Sequence, residues 1–110
     1  MILMSRSEEI ILLAVRKLAG RAYGVPIRDQ IKADIGRHWS FGVIYKTLKK
    51  LRQKGYVHKI SGAPLAERGG RCRFYYEISS AGLDALEEIR RVHVSIWNGI
   101  PAPTVGKKTR

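Results

Sequence analysis

Acidic side chains are scarce in this 110-residue chain: nine Asp and Glu stand against 21 Lys and Arg, a formal net charge of +12. Such an excess says nothing about fold, but it narrows the partners to nucleic acid, an anionic membrane surface or an acidic protein. Cysteine is nearly absent. Cys72 stands alone, so no internal disulfide can form, and a reducing cytoplasm is the simplest setting. No apolar run approaches the roughly 20 residues of a membrane span, and the opening Met-Ile-Leu-Met is too short for a signal-peptide core. A membrane partner is therefore disfavoured. Also missing are a phosphate-cradling glycine motif, a nucleophile elbow and paired carboxylates near a base. His38, His58 and His93 are scattered without metal-ligand spacing. The expectation is a protein that is no enzyme and carries no metal or cofactor.

What remains is enough for one domain. Hydrophobic residues make up 45% of the chain, sufficient for a core and too many for wholesale disorder. The charge is concentrated. Between Arg37 and Arg73 lie ten basic residues and one acid, Glu67, so a third of the chain holds three quarters of the excess. A localised basic block is the electrostatic footprint of a nucleic-acid module.

Ser5-Arg6-Ser7-Glu8 fits a capping box and opens a first helix with Ile11, Leu12, Val15 and Leu18 on one side, closed by Gly20. Gly24-Val25-Pro26 restarts the chain, since proline is tolerated in a first helical turn. Ile27, Ile31 and Ile35 follow at four-residue spacing, and Gly36 ends this second helix. Ser40 is the expected N-cap of a third helix and Gly55 its terminator. At about 100° per residue, Ile44, Leu48 and Leu51 form one stripe, and Gly42, Lys46, Lys49 and Gln53 lie opposite, with Lys50 on the shoulder.

Tyr56 to Ser61 reads as a strand. Cys72 to Ile78 alternates as a second, with Cys72, Phe74, Tyr76 and Ile78 expected on the inner face. The hairpin they form has a loop of about ten residues, longer than usual, carrying Arg68-Gly69-Gly70-Arg71. Ser79 or Ser80 caps a fourth helix, in which Leu86, Ile89, His93, Ile96 and Ile100 recur at spacings of three and four. The tail from residue 101 to 110 is polar, basic and aperiodic.

Three helices followed by a two-stranded hairpin is the order of a winged helix-turn-helix: mainly α with a small β-hairpin, here with a C-terminal helix added. The expected units are a winged helix-turn-helix at 5–79, a C-terminal helix at 80–100 and a tail at 101–110. In this architecture helix 40–54 enters the major groove, N-terminal residues nearest the base edges, and wing 56–78 lies on the backbone.

The chain resembles the PadR family of winged-helix transcriptional regulators, short-tailed type. The resemblance runs from about Glu9 to Glu88. It is carried by Ala22-Tyr23-Gly24, Ile44-Tyr45-Lys46-Thr47-Leu48-Lys49-Lys50-Leu51, Gly55-Tyr56-Val57, Gly69-Gly70-Arg71, Tyr75-Tyr76-Glu77-Ile78-Ser79 and Ala81-Gly82. It implies a cytoplasmic, dimeric DNA-binding regulator, usually a repressor, that holds DNA through the third helix and the wing, and on matching positions it points to Ser40, Tyr45, Lys46, Lys49 and Arg71, with Tyr23 in support. One departure stands out: where relatives carry Gly-Thr-Leu-Tyr, this chain reads Gly42-Val43-Ile44-Tyr45, and valine cannot donate a hydrogen bond to a phosphate.

The residues expected at double-stranded DNA are thus Tyr23, Arg28, Ser40, Phe41, Gly42, Tyr45, Lys46, Lys49 and Lys50, with Lys59, Arg68, Arg71 and Arg73 on the wing. Leu86, Ile89, His93, Ile96 and Trp97 are expected at a homodimer interface, and Trp97 is a candidate to stack a planar small-molecule effector. Each feature has a plainer explanation. The lysine stripe could be a solvated face, and the apolar stripe of the last helix could pack on the first helix of its own chain. Cys72, between two arginines, could be an activated thiol or an inert buried one. The competing function is a winged-helix interaction module docking an acidic protein, although such a surface should carry fewer charges at its centre.

Overall fold

The computed structural model describes residues 4–62 and 74–101. The first helix, α1 (Arg6–Lys17), opens on the expected capping box: the Glu8 N–H donates to Ser5 Oγ at 3.1 Å and the Ser5 N–H to Glu8 Oε1 at 2.9 Å. Helix α2 (Gly24–Ile35) has Tyr23 as an N-cap with no side-chain capping bond and ends on Gly36 in the left-handed conformation. Helix α3 (Phe41–Gln53) begins at Ser40, whose hydroxyl accepts from the Val43 N–H at 3.2 Å. Gly55, at φ +80°, turns the chain after it.

Strands β1 (Val57–Ser61) and β2 (Phe74–Ile78) pair antiparallel, in a register running from Val57↔Ile78 to Ser61↔Phe74. Helix α4 (Ser80–Trp97) follows, capped by Ser79, which accepts from the Gly82 N–H at 3.0 Å. These four helices and one hairpin make the winged helix-turn-helix expected from the sequence.

The core gathers one stripe from each of the first three helices: Ile11, Leu12 and Val15 from α1, Ile27 and Ile31 from α2, Ile44, Leu48 and Leu51 from α3, closed by Val57 and Tyr76 from the wing. Backbone bonds fasten the wing to this core, Tyr76 N–H to Ala22 carbonyl at 2.8 Å and Ser79 N–H to Tyr56 carbonyl at 2.9 Å. Two glycines permit close approaches. A Cβ at Gly24 would collide with the Tyr45 hydroxyl, and one at Gly82 with the Tyr56 carbonyl.

Two expectations are corrected. Ile35 is exposed, not a third core isoleucine: residues four apart drift by about 40° per step on a helix of 3.6 residues per turn, so the stripe rotates away from α1. Phe74 is also exposed, at 48%, whereas Tyr76 two residues on is 6% exposed. The hairpin overhangs the domain, so only its base meets the core, and Phe74 is covered instead by the Lys59 ammonium 4.4 Å from its ring centroid. The first strand also starts one residue later than expected, at Val57. The hairpin loop with Arg68 and Arg71, together with Cys72, Arg73 and residues 102–110 of the tail, lies outside the described residues.

Candidate nucleic-acid interface

The amphipathic division of α3 survives folding. Its inner stripe is fully buried, while Gly42, Lys46, Lys49, Lys50 and Gln53 are all exposed. A Cβ at Gly42 would meet nothing nearer than Ser40 Oγ at 3.8 Å, so the first turn of α3 presents bare backbone to solvent.

On the flank of α3 nearest the start of α2, aromatic side chains gather. Phe41 and Tyr45 lie with centroids 6.3 Å apart, tilted by 31°. The Arg28 guanidinium stacks on the Phe41 ring at 4.4 Å, a cation–π contact that holds the charge beside α3. Tyr23 meets Tyr75 edge to face at 5.5 Å. Tyr23, Phe41, Tyr45, Lys59, Phe74 and Tyr76 line one groove of about 560 Å³ between α2, α3 and the wing. Burial, then the neighbouring Tyr45, pushes the Tyr76 hydroxyl above its ordinary range against the opposing pull of Arg52. The residue at the back of the groove therefore stays neutral.

A second, polar groove of about 560 Å³ runs where α3 meets β1, lined by Lys49, Arg52, Gln53, His58 and Lys59 among others. The sequence-predicted Lys49 and Lys59 are thus brought to the same groove, and Arg52 and His58, which sequence reasoning left out, join them. A signal for His58 existed: it stands beside Lys59 within the basic block. Nothing local indicated that the strand would turn it toward α3.

Lys54 is drawn the other way. Its Nζ lies 2.9 Å from Glu8 Oε2 at the start of α1. Burial alone would raise the Glu8 carboxyl, but the Ser5 N–H, the Lys54 hydrogen bond and the Lys54 charge together outweigh it and hold the carboxyl below its ordinary value. One lysine of the basic block is therefore a strut between α1 and α3.

On α4, Leu86 packs on the domain's own core, and Ile89 and His93 are half-buried. The His93 ring nitrogen Nε2 lies 3.3 Å from Glu9 Oε2 of α1. Beyond it the helix leaves the domain: Ile96 and Trp97 are both 62% exposed, with Val94 and Ile100 exposed alongside. Leu13 and Leu83, both exposed at the surface, line a cleft of about 610 Å³ between α1 and α4, with Glu9, Arg16, Glu87 and Arg90 at its rim. Among the described residues no cluster of His, Cys, Asp or Glu could hold a metal ion, and no helix is long and apolar enough to cross a membrane.

A helix-turn-helix with an exposed cationic face and an adjoining wing defines a winged-helix domain of the transcription-regulator class. The chain belongs to the transcriptional regulator PadR-like family, which it matches over residues 11–88; members of that family are regulators, not enzymes. Solved structures share the fold. The hsRosR-S4 complex superimposes with a TM-score of 0.65 at 22% identity, covering 89% of this chain and 77% of that one. A PadR family transcription regulator from Clostridium difficile R20291 gives 0.65 at 20% identity, covering 86% and 96%. The protein smu.1704 from Streptococcus mutans UA159 gives 0.62 at 24%, covering 88% and 92%. No curated protein matches the sequence.

Proposed function

We propose that the protein is a dimeric, sequence-specific DNA-binding repressor acting in the cytoplasm, with α3 in the major groove and the wing along the adjacent backbone. One observation carries the reading: Lys46, Lys49 and Lys50 stand exposed on the face of α3 opposite a fully buried stripe, beside a first turn left bare at Gly42. Lys and Arg neutralise phosphates and release counterions, which supplies most of the affinity, while the groove-facing end of the helix supplies selectivity. Tyr23, Arg28, Ser40, Phe41 and Tyr45 frame the entry of α3, with Lys59 and the wing arginines Arg68, Arg71 and Arg73 on the neighbouring phosphates. The exposed end of α4, with Leu86, Ile89 and His93 anchoring its base and Ile96 and Trp97 presented outward, is the surface for a second copy. A two-fold assembly matches half-sites about one helical turn apart. A planar effector stacking on Trp97 fits the same surface.

Selection of bound duplexes from a random pool tests this directly. A palindromic consensus is the expected outcome, and failure to enrich any sequence would overturn it. On the selected operator, log K against log salt should fall with a slope of about −5 to −7 for six to eight phosphate contacts. Lys49→Ala removes one contact per protomer, so the slope should become shallower by about 2, with losses alike on operator and random duplex. A salt-insensitive affinity would count against this reading; the competing reading, a module docking an acidic protein, would give no selected duplex.

A further inference from the structure

We infer that Val43 is a specificity-determining residue that reads the C5-methyl group of a thymine in each half-site. The inference rests on the reading that α3 occupies the major groove. Val43 is the one aliphatic side chain exposed on α3, at 46%, and every other exposed residue of that helix is glycine, polar, charged or Tyr45. Its position is fixed, because its own N–H is spent on the capping bond to Ser40 Oγ. It stands in the first turn, where a groove-entering helix comes nearest the base edges. The neighbouring Gly42 has no side chain to hold the backbone away from the groove floor. Lys46 and Lys50, about one and two turns further along, supply charge for phosphates and leave Val43 as the apolar contact.

The chemistry of the groove then selects the partner. Of the four bases only thymine presents an apolar group at the major-groove edge, its C5-methyl; the other bases offer donors and acceptors that a valine can neither satisfy nor replace. A valine pressed on any other base edge would desolvate polar atoms without return. The two γ-methyls of Val43 against one thymine methyl would remove apolar surface from water on both partners.

Deoxyuridine isolates this contact, since it differs from thymidine only by the missing methyl and leaves every hydrogen-bonding edge intact. The full-length protein is titrated against its selected operator, with each thymine in a half-site replaced in turn by deoxyuridine. One position per half-site should weaken binding by about fourfold, the worth of one buried methyl. The same replacement should change the affinity of Val43→Ala by less than about 1.5-fold, because contacting groups are non-additive. Val43→Thr keeps one γ-methyl and should retain part of the dependence. Thermal melts of each variant check that they fold alike. An operator without an invariant thymine, no thymine sensitive to methyl loss, or equal sensitivity in wild type and Val43→Ala would overturn the inference while leaving DNA binding intact. Failure to select any operator would instead remove the reading beneath it, and the inference with it.

Discussion

Helices α3 and α4 are built alike and held differently. Each begins at a serine cap and carries a buried stripe on one side. Helix α3 is fixed at both ends: Tyr45 is seated on Gly24 near its start, and Lys54 is tied to Glu8 just past its end. Helix α4 is fixed through its first turns, by Ser79 and by Gly82, Ala85 and Leu86 against the domain, and again where His93 meets Glu9, while its last turn stands in solvent. The outer face of α3 is cationic and the free end of α4 is apolar. A surface for a polyanion must keep its charges in register. An apolar end that one chain leaves uncovered is what the proposed second copy would bury.

The largest test of this contrast is Leu48→Ala in the inner stripe of α3, which should cost about 2–5 kcal/mol in chemical denaturation. A loss under about 1 kcal/mol would mean α3 is not core-locked. Trp97→Asp, on the free end of α4, should leave the monomer's melting unchanged within error yet weaken self-association by about 2 kcal/mol or more in sedimentation equilibrium. Unchanged association would remove α4 as the assembly surface. Gly24→Ala should cost about 1–3 kcal/mol through the collision with the Tyr45 hydroxyl, and the penalty should shrink in a Tyr45→Phe background. Equal penalties in both backgrounds would show that the seat is not where α3 is fixed.

The smallest effect concerns the Glu8–Lys54 strut. The folded Glu8 carboxyl titrates below its ordinary value of 4.5, so it binds protons less readily than in the unfolded chain. Its contribution is therefore full above that value and lost as pH falls through the folded titration. Glu8→Gln should melt lower than wild type at neutral pH, and the gap should close as the pH drops well below 4.5. A gap constant with pH would refute the charged strut.

Much of this was legible in the chain because it was local. Ser5-Arg6-Ser7-Glu8, Ser40 and Gly36 announced helix ends, and the core and cationic faces of α3 followed from spacing alone. The failures were of two physical kinds. Alternation places Phe74 on the inner face of its strand, but it says nothing about whether the core extends that far, and the hairpin overhangs. The four-residue spacing of Ile27, Ile31 and Ile35 looked like one stripe until helical drift turned the last outward. Lys54 belongs by sequence to the basic block, yet its partner Glu8 lies 46 residues away, beyond any periodicity. The aromatic groove shared by Tyr23, Tyr45 and Phe74 is likewise assembled from three elements.

The Ser79 hydroxyl does two jobs at once: it donates to the Gly55 carbonyl at 2.6 Å and accepts from the Gly82 N–H in the first turn of α4. The rod proposed to meet a second copy is thereby tied, through that oxygen, to the turn that closes the rod proposed to enter the groove. In a two-copy assembly the gap between the reading heads would be set at this junction, where the Ser79 N–H also donates to the Tyr56 carbonyl and Gly82 lies against it. A twist of either α4 would change the spacing of half-sites the pair can span without disturbing a single contact to DNA.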